Sequence, residues 1–566
     1  MPQDAFTLRF LCKELNQTLS GGKINRIVQP DNDTVIITIY AKSKTKKLLI
    51  SVNPSMPRIG LTEDNNPGPQ AAPNFCMLLR KHLLNSTVES VTLEGFDRIV
   101  KIVLTPSNEI FDEPQKVLYL ELMGRYSNII LTAQGKILGG NRGINVFDNG
   151  VRPLFVGKEY VFPPVGDKKL PTDKSLIEYL KIPHQDTAEH LIKGVQGIAL
   201  STAVEIVGKF SPNHERVEPE KAQEFYKFLV DFLYGENLSP CVYVKDGNAF
   251  DVCVFPYSKI DGEKIGFTTL SDAENYYYKS LEATKKFSAL KERLNGIISS
   301  LIKKNKKKIS LLKAREKDAD DCEKNRIIGE LILANIYKLK QGDKKCELDN
   351  YYDGSKIVVN LDERLTPSKN ADRYFKKYNK QKRTLVALEP QLYAVLTEQE
   401  YLNSLSDELS LAESVNELKL LLEELESAGY VKPNQTKNAK KNEEKCFRQY
   451  ECEGFLIKVG RNNLENDKVT FTAKPDDVWV HVKDYHSSHV VVVSKGKEIP
   501  QKVLLVASEI CAYYSKARNG GKAEVVYTKR KNVKKPSKSK PGFCYYENFK
   551  SITVEPNKRD EFLKTI

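Results

Sequence analysis

A stretch of about 65 residues without proline constrains the fold of this chain more than any other feature of its sequence. It begins near residue 271 and contains only two glycines. Its apolar residues recur at spacings close to those of a helix, namely Leu281, Leu290, Leu294, Ile298, Leu301, Ile309 and Leu312. A single helix of about 65 residues would be about 100 Å long at 1.5 Å per residue. The pattern therefore predicts an elongated helical arm.

A second helical segment of similar length, which starts at NADRYFKKYNK, follows a polar connector. Pro390 lies within this segment and is expected to kink the helix or split it, because proline has no amide hydrogen to donate. Two arms joined by a short element predict a long antiparallel coiled coil over residues 271–431. A compact helical bundle is the alternative arrangement.

The segments on either side of the arms alternate strands with helices, which predicts an α+β multidomain protein. Residues 1–172 combine short apolar strands with the helix FCMLLRKHLL, and strands at about 237–270 are expected to complete the sheet of this α/β domain. A linker at 432–445 precedes a second α/β domain at 446–566, in which strands surround the helix QKVLLVASEICAYYSKARN.

Short helices at residues 173–236 interrupt the first domain. Gly194 and Gly197 mark a tight turn between two of them, in LIKGVQGIALSTAVEIVGKF, and this pattern resembles a helix-hairpin-helix unit. Such units usually grip a phosphate backbone with the amides of the glycine turn. Ala199 stands where these hairpins often have a second glycine, and a hairpin used only for packing is equally consistent with the sequence.

The chain of 566 residues carries 88 Lys and Arg against 74 Asp and Glu, and its net charge of +14 predicts polyanionic partners. Hydrophobic residues make up 40% of the chain, which excludes a disordered chain, and no run of about 18 apolar residues predicts a membrane span. The start MPQDAFTLRFLCKEL lacks a signal-peptide pattern, so a cytoplasmic protein is expected. Ten cysteines without a Cys-x-x-Cys pair predict reduced thiols. We predict neither a metal nor a cofactor.

The positive charge is concentrated in the last domain. Residues 529–540 hold seven cations and no acid, namely Lys529, Arg530, Lys531, Lys534, Lys535, Lys538 and Lys540. Such a block predicts contacts with phosphate, and a solvated loop is the alternative.

The only tryptophan of the chain shares a strand face with an imidazole and a cation. Period-two alternation places Trp479, His481 and Lys483 on one face and Val478, Val480 and Val482 on the other. The first set suits stacking on an unpaired base and holding its phosphate. A structural polar cluster is one alternative, and a metal site is another because His486 and His489 follow closely.

Asp97 and Arg98 form a second candidate site, at an expected strand start in EGFDRIVKIVL. Adjacent strand residues point to opposite faces, so the Gly95-Phe96 turn must re-aim the pair if both act on one ligand. A solvated turn pair is the alternative. The sequence has no phosphate loop, no Gly-x-Ser-x-Gly and no His-Glu-x-x-His, so no catalytic residue is predicted.

Six ordered motifs carry a family resemblance that spans nearly the whole chain. NFCMLLRKHL, GFDRIVKI, ELMGRYSNIILT, NADRYFKKYNK, VGRNNLENDKVT and DVWVHVKDYHSSHVVV resemble the NFACT family. The resemblance implies an NFACT-N domain, a coiled-coil arm and an RNA-binding NFACT-R domain.

The resemblance also implies a role in ribosome-associated quality control. Members bind the large (50S) ribosomal subunit that is obstructed by peptidyl-tRNA and its nascent chain. They recruit alanyl-tRNA and direct untemplated C-terminal alanine tails that mark the stalled chain for proteolysis. The ribosome makes the peptide bonds, so the chain itself is not expected to be an enzyme. A small S4-domain RNA-binding protein is among the partners implied.

The site residues that the resemblance implies fall in both end domains. Asp97 and Arg98 correspond to the family's tRNA-handling pair needed for tailing, together with the acidic residue Asp4. The RNA-binding signature of the last domain falls on His481, Lys483, Ser488 and His489, and Arg461 lies in a second motif of that domain. Members commonly have Gly before the Ser-His pair, where this chain has Ser487.

Two other functions are consistent with parts of the sequence. The N-terminal module with its hairpin resembles formamidopyrimidine-glycosylases, DNA-repair enzymes whose N-terminal proline amine is the nucleophile, and Pro2 would become N-terminal after Met removal. However, Gln3 stands where those enzymes have an acid, and no zinc finger follows. A fibronectin-binding surface adhesin is the other alternative, because relatives have carried that label, although no signal peptide or anchor is apparent.

Overall fold

The structure is a computed structural model that describes residues 3–64, 68–106, 114–142, 152, 154–212, 216–245, 247–433, 447–537 and 539–563. Pro2, Lys538 and most of the predicted linker lie outside the described residues. The chain forms two compact units, Met1–Thr284 and Lys285–Ile566. Mixed helix and sheet in both units confirms the α+β prediction. Among the described residues, no helix is both long and apolar enough to cross a lipid bilayer.

An antiparallel sheet of nine strands forms the centre of the first unit, in the order β4-β3-β2-β1-β5-β6-β7-β8-β9. The elements are α1 (Ala5–Leu19), β1 (Lys23–Asp31), β2 (Thr34–Ala41), β3 (Lys44–Ser51), β4 (Arg58–Leu61), α2 (Asn74–Leu83), β5 (Thr87–Leu93), β6 (Ile99–Thr105), β7 (Lys116–Glu121), β8 (Asn128–Ala133) and β9 (Lys136–Gly140). Helix α1 buries Phe6, Leu8, Leu11, Leu15 and Leu19 completely in the core that it shares with the sheet.

Four helices follow, and they confirm the predicted hairpin. They are α3 (Leu176–Lys181), α4 (Thr187–Gly194), α5 (Leu200–Phe210) and α6 (Ala222–Tyr234). Gly197, in the turn between α4 and α5, has a φ of +70°. Glycine adopts this left-handed region without the steric cost that a side chain would add.

The strands after α6 differ from the prediction. The sequence suggested that they complete the first sheet, whereas β10 (Cys241–Lys245), β11 (Asn248–Cys253) and β12 (Glu263–Gly266) form a separate sheet in the order β11-β10-β12. Both edges of β10 are thus occupied by neighbours from its own segment. The side chains of Cys241, Tyr243 and Cys253 nevertheless belong to the first unit's main core.

The two long helices form an antiparallel pair, as predicted. Helix α7 (Leu270–Asp320) is followed by α8 (Cys322–Ala334), the hairpin β13 (Lys345–Asp349) and β14 (Lys356–Asn360), α9 (Pro367–Leu411) and α10 (Val415–Ser427). Leu294 and Ile298 of α7 pack with Leu405 of α9, whereas Leu312, farther along α7, packs with Leu388, nearer the start of α9. Residue numbers of the packing partners on α9 decrease as those on α7 increase, so the two helices run antiparallel.

Two details of these helices differ from the predictions. The expected helix of about 65 residues ends at Asp320, and α8 begins after Asp321. Pro390 does not split α9, which is continuous from Pro367 to Leu411. The carbonyl left without a donor belongs to residue 386. Val386 is 69% exposed, so water can reach this carbonyl.

The last domain is a six-stranded antiparallel sheet in the order β15-β16-β18-β17-β19-β22. Its elements are β15 (Arg448–Cys452), β16 (Phe455–Val459), α11 (Asn463–Phe471), β17 (Val478–Val482), β18 (Val490–Val493), α12 (Gln501–Tyr513), β19 (Ala523–Lys529), β20 (Val533–Lys534), β21 (Tyr545–Tyr546) and β22 (Lys550–Val554). Helix α12 packs with the apolar face that includes Val480 and Val482. Helix α11 and the β20–β21 pair cover the opposite face.

Buried carboxylates of α9 and α10 attach the last domain to the arm. Glu424 accepts hydrogen bonds from the Tyr401 hydroxyl at 2.8 Å and from Asn463 Nδ2 at 3.1 Å. Glu408 Oε1 lies 3.8 Å from His486 Nε2. Burial raises the pKa of Glu408 well above its usual range, with a further contribution from Glu424, and burial likewise raises the pKa of Glu424. Burial lowers the pKa of His486 to about 4.

We therefore expect the contribution of Glu408 to the stability of this attachment to fall as the pH rises above 4.5. A carboxyl whose folded pKa exceeds its unfolded value of 4.5 stabilises fully below pH 4.5, and this stabilisation is lost as the pH rises through the folded pKa. The His486 contribution changes in the opposite direction and only below about pH 6.5. Each pH unit over which only the folded state keeps the proton costs about 1.4 kcal/mol.

Urea unfolding followed by the fluorescence of the single tryptophan, Trp479, measures this dependence. Glu408→Gln should flatten the slope of unfolding free energy against rising pH. Glu400→Gln, on an exposed position of the same helix, should leave the slope unchanged. Equal slopes for the wild type and Glu408→Gln would contradict the assignment.

Candidate nucleic-acid interface

A cleft of about 420 Å³ in the first unit brings together residues from five segments of the chain. Asp97 and Arg98 line it beside Met123, and the turn between α4 and α5 contributes Gln196 and Gly197. The residues that complete the lining are Asp4, Pro164, Val165, Lys168, Ile198, Ala199 and Leu200. The predicted pair therefore shares a concave surface with the predicted hairpin.

The turn before β6 holds the Asp-Arg pair. Gly95 has a φ of +60°, and the Phe96 side chain is buried. Asp97 Oδ1 accepts a hydrogen bond from the Arg98 amide at 2.7 Å, and the Arg98 carbonyl accepts one from the Leu122 amide at 2.9 Å. Both side chains are partly exposed at this point, directly before the strand begins.

The Asp4 carboxylate is hydrogen-bonded to other residues of the protein. Its Oδ1 caps α1 by accepting from the Thr7 amide at 2.9 Å, and its Oδ2 accepts from the Ala199 amide at 2.9 Å and the Thr202 hydroxyl at 2.7 Å. The residue is only 3% exposed. Its carboxylate therefore joins α1 to α5 beside the pair.

The glycine turn is attached tightly to the rest of the unit. The Ala5 amide donates to the Gly197 carbonyl at 2.6 Å. A Cβ at position 197 would lie 2.3 Å from the Phe96 carbonyl oxygen and 2.4 Å from Ala5 Cβ. The amides of Gln196 and Ala199 donate to Lys169 and Asp4, so these two donors are not free for a phosphate.

Trp479 does not occupy the position that base stacking needs. Its side chain is 0% exposed and packs in a small core with Val469, Val491, Val526 and Val533. The indole ring stacks on His481, with ring centroids 5.3 Å apart. The predicted stacking on an unpaired base is therefore corrected: the ring is a packing element, because α11 and the β20–β21 pair cover the face expected to be open.

The three clustered histidines are mostly buried and neutral. Burial lowers the pKa of His481 to about 4, with a further contribution from His486, and lowers the pKa of His489 well below its usual range. His489 Nδ1 hydrogen-bonds the Thr470 hydroxyl at 2.8 Å. In the described part of the chain, no group of three or more His, Cys, Asp or Glu is arranged to hold a metal ion. These contacts match the alternative of a structural polar cluster.

Other predicted RNA-binding residues also have partners within the protein. Lys483 pairs with Glu524 at 3.0 Å, and Arg461 pairs with Glu465 at 2.6 Å. The Ser488 amide donates to the Tyr514 carbonyl at 2.9 Å. Ser487, which stands where the family resemblance implies a glycine, uses its hydroxyl oxygen to accept from the Val482 amide at 3.1 Å, so the turn is fixed by a side chain.

Several side chains of the cationic block at 529–540 have partners within the protein, which the sequence did not indicate. Lys529 pairs with Asp476 at 3.1 Å, Lys534 pairs with Glu547 at 3.5 Å, and Lys535 pairs with Asp467. Arg530 donates to the Thr470 carbonyl at 3.2 Å. Lys531 is exposed and has no ion pair within the residues that the structure describes. Exposed ion pairs contribute about 0–1 kcal/mol, so these lysines can exchange their partners for phosphate.

Comparison with known proteins decides the family. Residues 4–444 match the family described as NFACT N-terminal and middle domains, and residues 445–543 match the NFACT protein RNA binding domain. The chain belongs to the NFACT family. It is 33% identical over 555 residues to the Rqc2 homolog RqcH of Bacillus subtilis strain 168, and the match covers 96% of each chain.

Two further relatives illustrate the range of the NFACT family. The Rqc2 homolog RqcH of Streptococcus suis strain 05ZYH33 is 30% identical, and the match covers 98% of each chain. The human ribosome quality control complex subunit NEMF is 34% identical over 125 residues, which cover 22% of this chain and 11% of that protein.

Sequence reasoning missed several residues of the two NFACT domains. Lys168 and Gln196 line the N-terminal cleft, but they lie in loops distant in sequence from the Asp-Arg pair. In the RNA-binding domain, Phe543, Tyr545 and Phe549 expose large aromatic surfaces directly after the cationic block. The segment FCYYENFK was a usable signal, because aromatic residues among lysines are typical of single-strand binding.

We expect Gly197→Ala to destabilise the first unit more than Gly135→Ala. Both glycines have a positive φ, of +70° and +78°, so alanine costs roughly 1–2 kcal/mol of backbone strain at either position. A Cβ at position 135 meets no atom within 4 Å, whereas at position 197 it meets the Phe96 backbone. Calorimetric unfolding of the two full-length variants measures the difference, and equal losses would contradict the close contact.

Proposed function

We propose that this chain is a ribosome-associated quality control factor that acts on obstructed large (50S) ribosomal subunits. It binds subunits that carry peptidyl-tRNA and a stalled nascent chain, recruits alanyl-tRNA, and directs untemplated C-terminal alanine tails that mark the chain for proteolysis. Its membership of the NFACT family, and the name of the NEMF relative, support this assignment. A small S4-domain RNA-binding protein is a further proposed partner.

The observation that carries the proposal is the convergence of Asp97 and Arg98 with the hairpin turn on one cleft. Arg98 provides a planar set of donors that suits a phosphate or a base edge. Asp97 is an acceptor for ribose or base donors. Lys168 on the cleft wall adds a second cation. A surface with both a fork of donors and an acceptor can select a nucleotide rather than only attract a polyanion.

We assign the chemistry of peptide-bond formation to the ribosome. We assign the positioning of tRNA to this chain. Asp4 serves the cleft indirectly, since its carboxylate holds α5 against α1. Binding to the ribosomal subunit rests mainly on the cations of the last domain, including Lys529, Lys531 and Lys534. The proposal therefore separates retention on the subunit from selection of tRNA.

Alanine substitution of Asp97 or Arg98 tests this separation. Each variant should co-sediment with obstructed large subunits as the wild type does, and should lose tRNA recruitment and the alanine tails seen by mass spectrometry of a stalled reporter. Arg98→Lys should fail nearly as completely, because a point charge does not reproduce a bidentate contact. The matched control is Arg26→Ala, which removes an exposed arginine from strand β1 of the same sheet.

Two results would contradict the assignment. Loss of subunit binding and thermal stability together would make the pair a structural turn. Tails added at the normal rate would show that the cleft does not handle tRNA.

A further inference from the structure

Among the described residues of the last domain, three of the four exposed aromatic residues lie in one short segment, and the fourth is Tyr485. Tyr545 is 46% exposed and Phe549 is 47% exposed, and Phe543 in the same segment is also exposed. Single exposed apolar residues need no explanation, but a cluster of aromatic rings on a surface indicates an interaction site. None of these residues has a role in the function proposed above.

This segment is held in place by the residues beneath it. Tyr546 packs on the buried indole of Trp479 with ring centroids 5.2 Å apart, and Phe549 packs edge-on against Tyr546 at 5.3 Å. The exposed ring of Phe549 is therefore supported by a column of two further rings. Trp479, which cannot itself reach a ligand, forms the base of this column.

The backbone of the segment is fixed as well. The Thr528 hydroxyl shares its one hydrogen between the carbonyls of Glu547 and Asn548, at 3.1 and 3.0 Å, and it accepts from Asn532 Nδ2 at 2.9 Å. Strand β21 pairs with β20, so that Tyr545 lies opposite Lys534. A surface that is ordered before binding loses less conformational entropy when a ligand binds to it.

Two cations neighbour the rings, and one of them, Lys534, also pairs with Glu547 at 3.5 Å. Lys534 is directly across the strand pair from Tyr545, and Lys550 follows Phe549 in the chain. Lys531 and Lys550 are exposed and have no ion pair among the residues that the structure describes. Rings flanked by lysines suit a chain that offers both flat bases and phosphates, whereas a protein partner would require apolar complementarity without this excess of charge.

We propose that Tyr545 and Phe549 stack on bases of single-stranded RNA, and that Lys531, Lys534 and Lys550 contact its phosphates. This inference rests on the proposed function of the last domain in RNA binding and assigns its stacking surface. The stacking role predicted for Trp479 thus passes to Tyr545 and to Phe549, and Trp479 supports Phe549 through Tyr546.

The test measures binding of a short, fluorescently labelled oligoadenylate to the full-length protein by anisotropy at fixed salt. Tyr545→Leu and Phe549→Leu keep an apolar side chain but remove the ring. Each should weaken binding roughly ten-fold, a change that corresponds to about 1.4 kcal/mol. Tyr545→Phe keeps the ring and should bind as the wild type does.

Two controls separate stacking from charge and from folding. Tyr393→Leu removes a ring that is 72% exposed on α9, and it should leave affinity unchanged. Inorganic polyphosphate, a polyanion without bases, should bind the wild type and the leucine variants equally. The fluorescence of Trp479 and the melting temperature should be the same in all variants that enter the comparison.

The possible outcomes have distinct meanings. If the wild type binds oligoadenylate and the leucine variants bind it equally well, the stacking assignment is overturned and the proposed function is untouched. Equal losses of affinity for oligoadenylate and for polyphosphate in the leucine variants would also overturn it. The substitutions would then have weakened contacts with phosphate rather than stacking on bases. If the wild type binds neither oligoadenylate nor large ribosomal subunits, the proposed function and this inference fall together.

Discussion

The two oxygens of the Asp4 carboxylate accept hydrogen bonds from two helices at once, and the cleft beside Asp97 and Arg98 depends on this contact. One oxygen caps α1, and the other holds the start of α5. Hydrogen bonds to a charged group contribute about 1.5–3 kcal/mol each, more than those between neutral groups. Without this carboxylate, the Ala199 amide at the N-terminal end of α5 would lose its acceptor. The turn that forms one wall of the cleft would then lose one of its attachments.

A different constraint organises the last domain, whose sheet is covered on both faces. Period-two alternation in β17 correctly separates Trp479 and His481 from Val480 and Val482, but alternation does not tell which face meets water. Here α12 covers the valine face, and α11 with β20 and β21 covers the other. Trp479 and His489, which were expected at an interface, are instead buried, and His489 is hydrogen-bonded to Thr470. The segment at 543–549 exposes three aromatic residues.

Local patterns in the sequence were sufficient for much of the fold, because they report on nearest neighbours. The helical spacing of leucines predicted the antiparallel arms, and Gly194 with Gly197 predicted the hairpin. The Gly95-Phe96 turn before the Asp-Arg pair was also predictable from adjacent residues. What escaped prediction depends on distant segments. Lysines of the 529–540 block pair with Asp467, Asp476 and Glu547, and the strands at 241–266 pair with one another rather than with the first sheet.

The close contact at Gly197 has a consequence for how this protein can change over evolutionary time. A side chain at this position collides with the backbone at Phe96 and with the side chain of Ala5, which lie in two other segments of the chain. A tolerated replacement would therefore require simultaneous shifts in three places, which single mutations do not supply. Sequence changes in three segments should therefore depend on one another, namely the N-terminal helix, the turn before Asp97 and the hairpin. A hairpin grafted from a distant relative would be accepted only together with its matching neighbours.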